Sequence, residues 1–317
     1  MYNGRFVVDG HADILYRMES DGVGFYDPDS MLQQNDLHMA ASGIDLQVFV
    51  TFVEPSLSPG EQLYKVLSSL DRFYREVARP GVIAPVFSTP ELQSVLHSGQ
   101  RGAILSLEGA DALAGQIGVL HALFRLGVRL IGLTWNGANS VADGVGEMRG
   151  AGLTQFGKEV VQTMRSLGMV VDVSHLAERG VWDVLEIYGG PVVASHSNAA
   201  AVHPHRRNLS DDQIRGVAAT GGLVGATFVP SFIGDRDVLT TEDLLRHIDH
   251  LLTVAGPDGV ALGSDFDGID TTLTDLRNGS DYPLLLEKLE RRYGSDVLAK
   301  VAGGNWLRVF SQILPPQ

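Results

Sequence analysis

A chain of 317 residues with 44% apolar and 20% charged residues has ample material for a soluble core and lies within the reach of one α/β barrel, so residues 1–317 are expected to form a single hydrolase-sized domain. The formal net charge of −14 argues against binding along phosphate backbones, which needs Lys and Arg gathered on one face, and excludes nucleic acid as an expected partner. There is no cysteine, so disulfides, zinc fingers, iron–sulfur clusters and thiol nucleophiles are excluded, and any metal must be held by His, Asp and Glu.

In chain order, Phe6–Val8 and Ile44–Val50 read as the first strands. Ile83–Phe87 also reads as extended, and Thr89-Pro90-Glu91 then opens a helix with a cap residue and Pro at its first position. From Ala103 the chain alternates apolar β-branched runs with segments of helical period, the pattern of repeated βα units. The strands are expected at Ala103–Leu107, Val128–Thr134, Met169–Val173, Pro191–Ser195, Leu223–Phe228 and Val260–Gly263. The helices are expected at Ile117–Leu126, Gln155–Leu167, Ala177–Tyr188, Asp211–Ala219 and Thr241–Val254. Gly127, Gly168 and Gly189 stand where C-caps belong. Eight strands suit a closed (β/α)8 TIM barrel, which makes one of the nine extended runs accessory, and Tyr282–Phe310 reads as helical chain packed across the barrel. Met1–Asp13 has no basic segment leading into a long apolar run, and nothing approaches the roughly 20 apolar residues that span a bilayer, so a cytoplasmic location without a membrane partner is expected.

Ionisable residues recur at the C-terminal ends of these strands: His11 and Asp13, Glu108, His175, His196 and Asp265. Each has an ordinary reading. His11-x-Asp13 arises by chance in many loops, Glu108 could pair with an Arg, His175 and His196 could be core histidines, and Asp265 could be an N-cap. None of those readings explains why all six follow strands, whose C-terminal ends converge on one face of a (β/α)8 barrel. A metal centre does. Two divalent ions need about three protein ligands each, and a bridging carboxylate lets five residues serve both, with Glu108 the natural bridge. Imidazole and carboxylate donors without sulfur suit two Zn²⁺, though other divalent metals fit similar sites. An EF-hand reading of Asp265-x-Asp267-Gly268 fails because Leu276 stands where its Glu is required.

Taken together, Val8-Asp9-Gly10-His11-Ala12-Asp13, Leu107-Glu108-Gly109, Val173-Ser174-His175, Ala194-Ser195-His196-Ser197, Arg206-Arg207-Asn208-Leu209 and Gly263-Ser264-Asp265-Phe266-Asp267-Gly268 resemble the renal (membrane) dipeptidase family of the amidohydrolase superfamily. The similarity runs from the first strand through Asn305-Trp306-Leu307. The resemblance implies an amidohydrolase-like barrel with a binuclear zinc site in which His11, Asp13 and Glu108 hold one ion and Glu108, His175 and His196 the other. It also implies that a metal-bridging hydroxide attacks the peptide bond of a dipeptide, including L-Xaa-D-Xaa. Asp265 then carries the proton to the leaving amine, Arg207 grips the substrate carboxylate, Asp267 supports Asp265, and a homodimer is consistent with the family.

One position departs from the pattern. Trp135, in Leu133-Thr134-Trp135-Asn136, stands where characterised mammalian relatives place a substrate-contacting histidine, which leaves carbonyl activation to a metal ion with help from Asn136 and makes pocket-wall packing the ordinary reading of Trp135. That departure keeps two alternatives open: a metal-dependent amidohydrolase for N-acyl amino acids or lactams, and a catalytically inactive barrel that binds. His203 and His205 lie close enough to Arg207 in sequence to touch substrate, whereas His38, His97, His121, His247 and His250 read as background.

Overall fold

The structure, a computed structural model, describes residues 5–316. The first residues of the Met1–Asp13 stretch and the last of the Ile313–Gln317 tail lie outside them. The described strands are β1 (Val8–Ala12), β2 (Leu46–Phe52), β3 (Ile83–Pro85), β4 (Arg101–Glu108), β5 (Val128–Gly132), β6 (Val170–Asp172), β7 (Val193–Ala194), β8 (Leu223–Ala226) and β9 (Val260–Leu262). Eight of them follow one another as parallel neighbours in the order β1-β2-β4-β5-β6-β7-β8-β9, with helices between them on the outside. The first and last strands meet at the C-terminal rim, where the Asp265 amide donates to the His11 carbonyl (3.0 Å) and the Asp13 amide to that of Phe266 (2.8 Å). The nearly closed wall is the expected (β/α)8 barrel.

The accessory strand is β3. It pairs with Arg101–Ala103 of β4, whereas β5 joins the same long strand only from Leu105 onward, so β4 offers one edge to two partners in succession. Other strand limits also move. The first strand runs Val8–Ala12 instead of Phe6–Val8, placing His11 within it, and an irregularity in its pairing between Asp9 and Ala12 re-aims the chain there. Val128–Thr134 stops at Gly132, and Pro191–Ser195 shrinks to Val193–Ala194. The apolar runs mark buried extended chain correctly, but ladder pairing ends where the backbone turns to present a polar side chain at the rim.

Every wall strand sends a fully buried apolar side chain into one cluster, Val48, Ile104, Leu130 and Val170 among them. Trp306 and Phe310 of the terminal helix Asn305–Ile313 belong to the same cluster. Each such side chain contributes about 1.5–3 kcal/mol by leaving water. The Trp306 indole donates to the Leu262 carbonyl (3.0 Å), and a Cβ at Gly10 would sit 2.1 Å from its ring, so β1 needs glycine there. The end of the barrel remote from the rim is thus apolar and filled. The tail is helical as expected: Tyr282–Tyr293 and, after a break at Gly294 with φ 82°, Ser295–Ala299 and Asn305–Ile313 joined by the π-helical turn Lys300–Gly304. Outer helices begin and end as their sequences dictate: Thr154 caps Gln155–Leu167 by accepting from the Gly157 amide, and Gly168 closes it in the left-handed region. No described helix is long and apolar enough to cross a membrane.

His247, which reads as background in the sequence, is a buried tie between two rim loops. Its Nδ1 accepts from the Ala199 amide (3.2 Å) and its Nε2 donates to the Ile233 carbonyl (3.1 Å), a pairing that only the neutral ring can make. Burial lowers its pKa to about 4. Because the folded value lies below the unfolded value of 6.5, the unfolded chain takes up the proton first on acidification. This histidine therefore withdraws stability as pH falls from about 6.5 towards 4 and has no such effect above 6.5. Thermal unfolding at pH 7.5, 6 and 5 should show a steeper acid loss for the wild type than for His247→Gln, which cannot titrate; parallel pH profiles would count against this role.

Candidate metal centre and active site

Glu108 ends β4 with its carboxylate at the centre of the rim. Its Oε1 lies 2.9 Å from His175 Nε2, 3.4 Å from His196 Nε2 and 3.8 Å from His11 Nε2. The His11 ring nitrogen is also 3.5 Å from Asp13 Oδ2 and 3.9 Å from Asp265 Oδ1. The donor atoms of His11, Asp13 and Glu108 form one compact group, those of Glu108, His175 and His196 a second, and His11, His196 and Asp265 a third. The structure thus brings together all six ionisable residues expected at the rim. Glu108 belongs to both of the groups expected to hold metal.

The donors also point the right way. His11 Nε2 and Asp13 Oδ1 are buried without a hydrogen-bond partner, a costly arrangement for polar atoms unless a cation completes them. His175 Nδ1 lies 2.8 Å from Asn136 Oδ1, which can only accept, so the ring proton sits on Nδ1 and the Nε2 lone pair faces Glu108 and His196. A Cβ on Gly268 would lie 2.4 Å from Asp13 Oδ2 and 2.6 Å from Asp265 Oδ1, so the chain is bare where it cradles the two carboxylates. His175, Asp265 and Asp267 all adopt left-handed backbone conformations, with φ of 65°, 66° and 68°. Such strain costs on the order of 1 kcal/mol or more per residue and is characteristic of functional sites.

Electrostatics favour a cation here. Burial raises the pKa of Asp265 well above its ordinary value, and the charges of Asp13 and Glu108 push the same way. Burial likewise opposes ionisation of Glu108, but the His11 charge and the close approach of the His175 and His196 rings outweigh it and hold that carboxyl well below the usual range. Burial disfavours the His11 cation too, yet Asp13, Glu108 and Asp265 carry its pKa up to about 10. Burial and Arg207 bring His175 down to about 4. A divalent ion would take the place of the His11 proton, so metal uptake releases protons and weakens on acidification.

The other expected residues take more varied places. Trp135 is cavity wall, its ring 5.4 Å from Phe52 and 6.0 Å from His175. Asn136 also lines the cavity, of about 930 Å³, and its carboxamide oxygen accepts from His175, so that only its NH₂ group is left to meet a substrate carbonyl. Arg207 is 3% exposed and lies behind Phe232, 5.3 Å from that ring, donating to the His196 carbonyl (3.0 Å) with Nε left unpartnered. It opens onto a smaller cavity of about 230 Å³ shared with His175. His205 stacks on Phe232 at 4.6 Å, and His203 lies 3.6 Å from Asp235. Asp267 turns away from Asp265 and accepts from the Gln33 and Gln34 amides (2.7 and 3.0 Å), fastening that loop to the rim. The sequence reading gave no role to Phe232 or to Asp9, Asp172, Ser195 and Ser264, the buried polar residues behind the ligands. The only sequence signal for the four polar ones is an Asp or Ser one to three residues before His11, His175, His196 and Asp265.

A parallel barrel with imidazoles and carboxylates converging at its C-terminal rim defines the class of metal-dependent hydrolases. Within that class, the model of the membrane dipeptidase family, peptidase family M19, matches residues 2–314, and the chain belongs to this family. It is a metallo-dipeptidase, a hydrolase acting on peptide bonds. Among related sequences, the uncharacterized protein in the pqqA 5′ region of Klebsiella pneumoniae is 40% identical over 223 residues, 66% of this chain and 81% of the relative. A metallo peptidase from Rhodobacter sphaeroides, solved with a phosphinate mimic of the dipeptide L-Ala-D-Ala, superposes with a TM-score of 0.90 at 26% identity over 98% of this chain and 99% of that one. Dipeptidase AC, a metallo peptidase of family M19, superposes with a TM-score of 0.88 at 27% identity over the same shares.

Because Glu108 belongs to both triads, Glu108→Gln should weaken divalent-metal binding more than the replacement of His11 or His175 alone. The loss should exceed the roughly 10–100-fold that removal of a supporting hydrogen bond costs. Chelator competition on folded protein measures it, and wild-type affinity in Glu108→Gln would remove Glu108 from the centre of the site.

Proposed function

We propose that this chain is a zinc-dependent dipeptidase that hydrolyses dipeptides, L-Xaa-D-Xaa included, with two divalent ions held by His11, Asp13 and Glu108 and by Glu108, His175 and His196. The observation that carries the reading is the sharing of Glu108 Oε1 between two three-donor groups within reach of Asp265. When bound, such ions would supply Lewis acidity towards the scissile carbonyl and a water of lowered pKa as nucleophile at neutral pH.

The chain's own residues supply the rest. Asp265, raised in pKa by burial and by the neighbouring carboxylates, is suited to accept a proton at the start of the reaction and deliver it to the leaving amine. Trp135 and Phe52 form an apolar wall that excludes water from one side of the substrate. Arg207, lowered by burial to about 10, remains a cation at neutral pH, and its unpartnered Nε suits a carboxylate, which reaches it when Phe232 is displaced. Recognition of that carboxylate restricts the substrate to short peptides. The relative solved with a mimic of L-Ala-D-Ala supports a pocket that accepts a D-residue at the second position.

Release of amino acids from L–L and L–D dipeptides, with Zn²⁺ present and after metal removal, tests the proposal. Metal-dependent release is expected from both series. Asp265→Asn should lower turnover by about 10²–10⁴-fold with metal content unchanged; loss of metal in that variant would make Asp265 a ligand instead. Amidating the substrate carboxylate should raise KM in the wild type and have little effect in Arg207→Met, which removes the cation. Cleavage of N-acyl amino acids or lactams in preference to every dipeptide would refute the substrate assignment and leave the hydrolase intact.

A further inference from the structure

Asp172, the last residue of β6, is 2% exposed and forms no ion pair among the described residues. Its Oδ1 accepts from the amides of Ser174 and Ser195, both at 2.9 Å, and its Oδ2 accepts from the Ser195 hydroxyl at 2.5 Å. A carboxylate can only accept, so the single hydroxyl proton of Ser195 is committed to Asp172. The Ser195 oxygen then has two lone pairs to offer. Two imidazole nitrogens face it most closely, His196 Nδ1 at 2.8 Å and His11 Nδ1 at 3.2 Å, with the two rings 3.7 Å apart, and the Ser174 hydroxyl lies farther off at 3.5 Å. With the hydroxyl proton already placed, both rings must be donors at Nδ1. Each is therefore left with Nε2 as its ligating nitrogen beside Glu108 Oε1, that of His11 once its second proton is released to a metal ion.

We infer that Asp172, acting through the Ser195 hydroxyl, is a positioning residue that fixes the proton-bearing nitrogen of both His11 and His196 and thereby sets divalent-metal affinity in both halves of the site. The inference rests on the proposed ligand assignment, in which His11 and His196 belong to different ions. The third ring, His175, is set separately by Asn136. One hydroxyl thus governs a ligand of each ion, where a more usual arrangement gives each histidine its own acceptor.

Asp172→Asn separates this role from simple clamping of β6 against β7. Asparagine keeps a carbonyl oxygen for the two backbone amides but presents an NH₂ group to the Ser195 oxygen. That donor occupies one lone pair and drives the hydroxyl proton towards one of the rings, which must then accept at Nδ1 and carry its proton on Nε2. A ring so protonated is no ligand. Purified full-length wild type, Asp172→Asn, Ser195→Ala and Ser195→Thr are compared by Zn²⁺ affinity against a chromophoric chelator, by nitrogen-15 shifts of the His196 ring in zinc-free protein, and by the zinc-free unfolding midpoint.

In Asp172→Asn, affinity is expected to fall about 10–100-fold, with the His196 proton shifted from Nδ1 towards Nε2 and the zinc-free midpoint near that of the wild type. Ser195→Ala should lose affinity similarly and Ser195→Thr, which keeps the hydroxyl, should recover it. This pair decides the question if Asp172→Asn does not fold. Wild-type affinity in Asp172→Asn, or equal affinity in the alanine and threonine variants, overturns the inference. So does a fall in affinity that tracks the zinc-free midpoint while the His196 tautomer is unchanged. A wild type that binds no divalent ion refutes the metal assignment itself, an outcome distinct from these.

Discussion

A buried aspartate accepting both the amide and the hydroxyl of one serine is the interaction on which the rest of this structure depends, and it is used twice. At the junction of first and last strands, Asp9 takes the Ser264 amide at 2.8 Å and its hydroxyl at 2.6 Å. At the junction of β6 and β7, Asp172 takes the same two groups of Ser195. In each case the next residue belongs to the site: Asp265 after Ser264, His196 after Ser195. Burial raises the pKa of Asp9, so its ionised form depends on these donors. Charge-assisted hydrogen bonds in a low-dielectric interior are strong and directional, and here they offset the desolvation of the carboxylate while leaving the following residue little freedom.

The two ends of the barrel divide stability from chemistry. The end filled by Trp306 and Phe310 is apolar and tightly packed, and the bare Gly10 shows how closely the terminal helix approaches β1. At the opposite rim, polar atoms remain unpartnered and three site residues hold left-handed backbone conformations. Both features lower stability locally and are tolerated because the wall below is rigid. His247 and Asp267 extend that rigidity outward by tying the loops around Ala199, Ile233 and Gln33 to the wall. Phe232 lies on one of these loops and covers Arg207, so that loop also bears on access to the buried cation.

The site is electrostatically unbalanced by design of its donors. Asp13, Glu108 and Asp265 crowd one small volume, and the single His11 cation, with a pKa near 10, is the main counter-charge its side chains provide. His175 and His196 are pushed the other way, towards neutral rings, which is the form that can ligate a metal. The same burial that makes these groups costly to the fold thus leaves them ready for a divalent ion.

The sequence by itself determined the barrel, the family and the six ionisable residues at the rim, because these depend on local period and on residue chemistry at strand ends. A β-branched run ending in His, Glu or Asp carries its own address once parallel strands are known to converge. The sequence did not determine that β3 stands outside the wall, since this follows from where β5 begins to pair along β4. Nor did it place Asn136 against His175 or Phe232 over Arg207, and it gave no sign that Asp172 and Ser195, 23 residues apart in the chain, are partners. Such relations are distances through space between side chains on different strands. Only the closing of the barrel decides them, because only then does each buried polar atom acquire the particular partner that fixes where its proton lies.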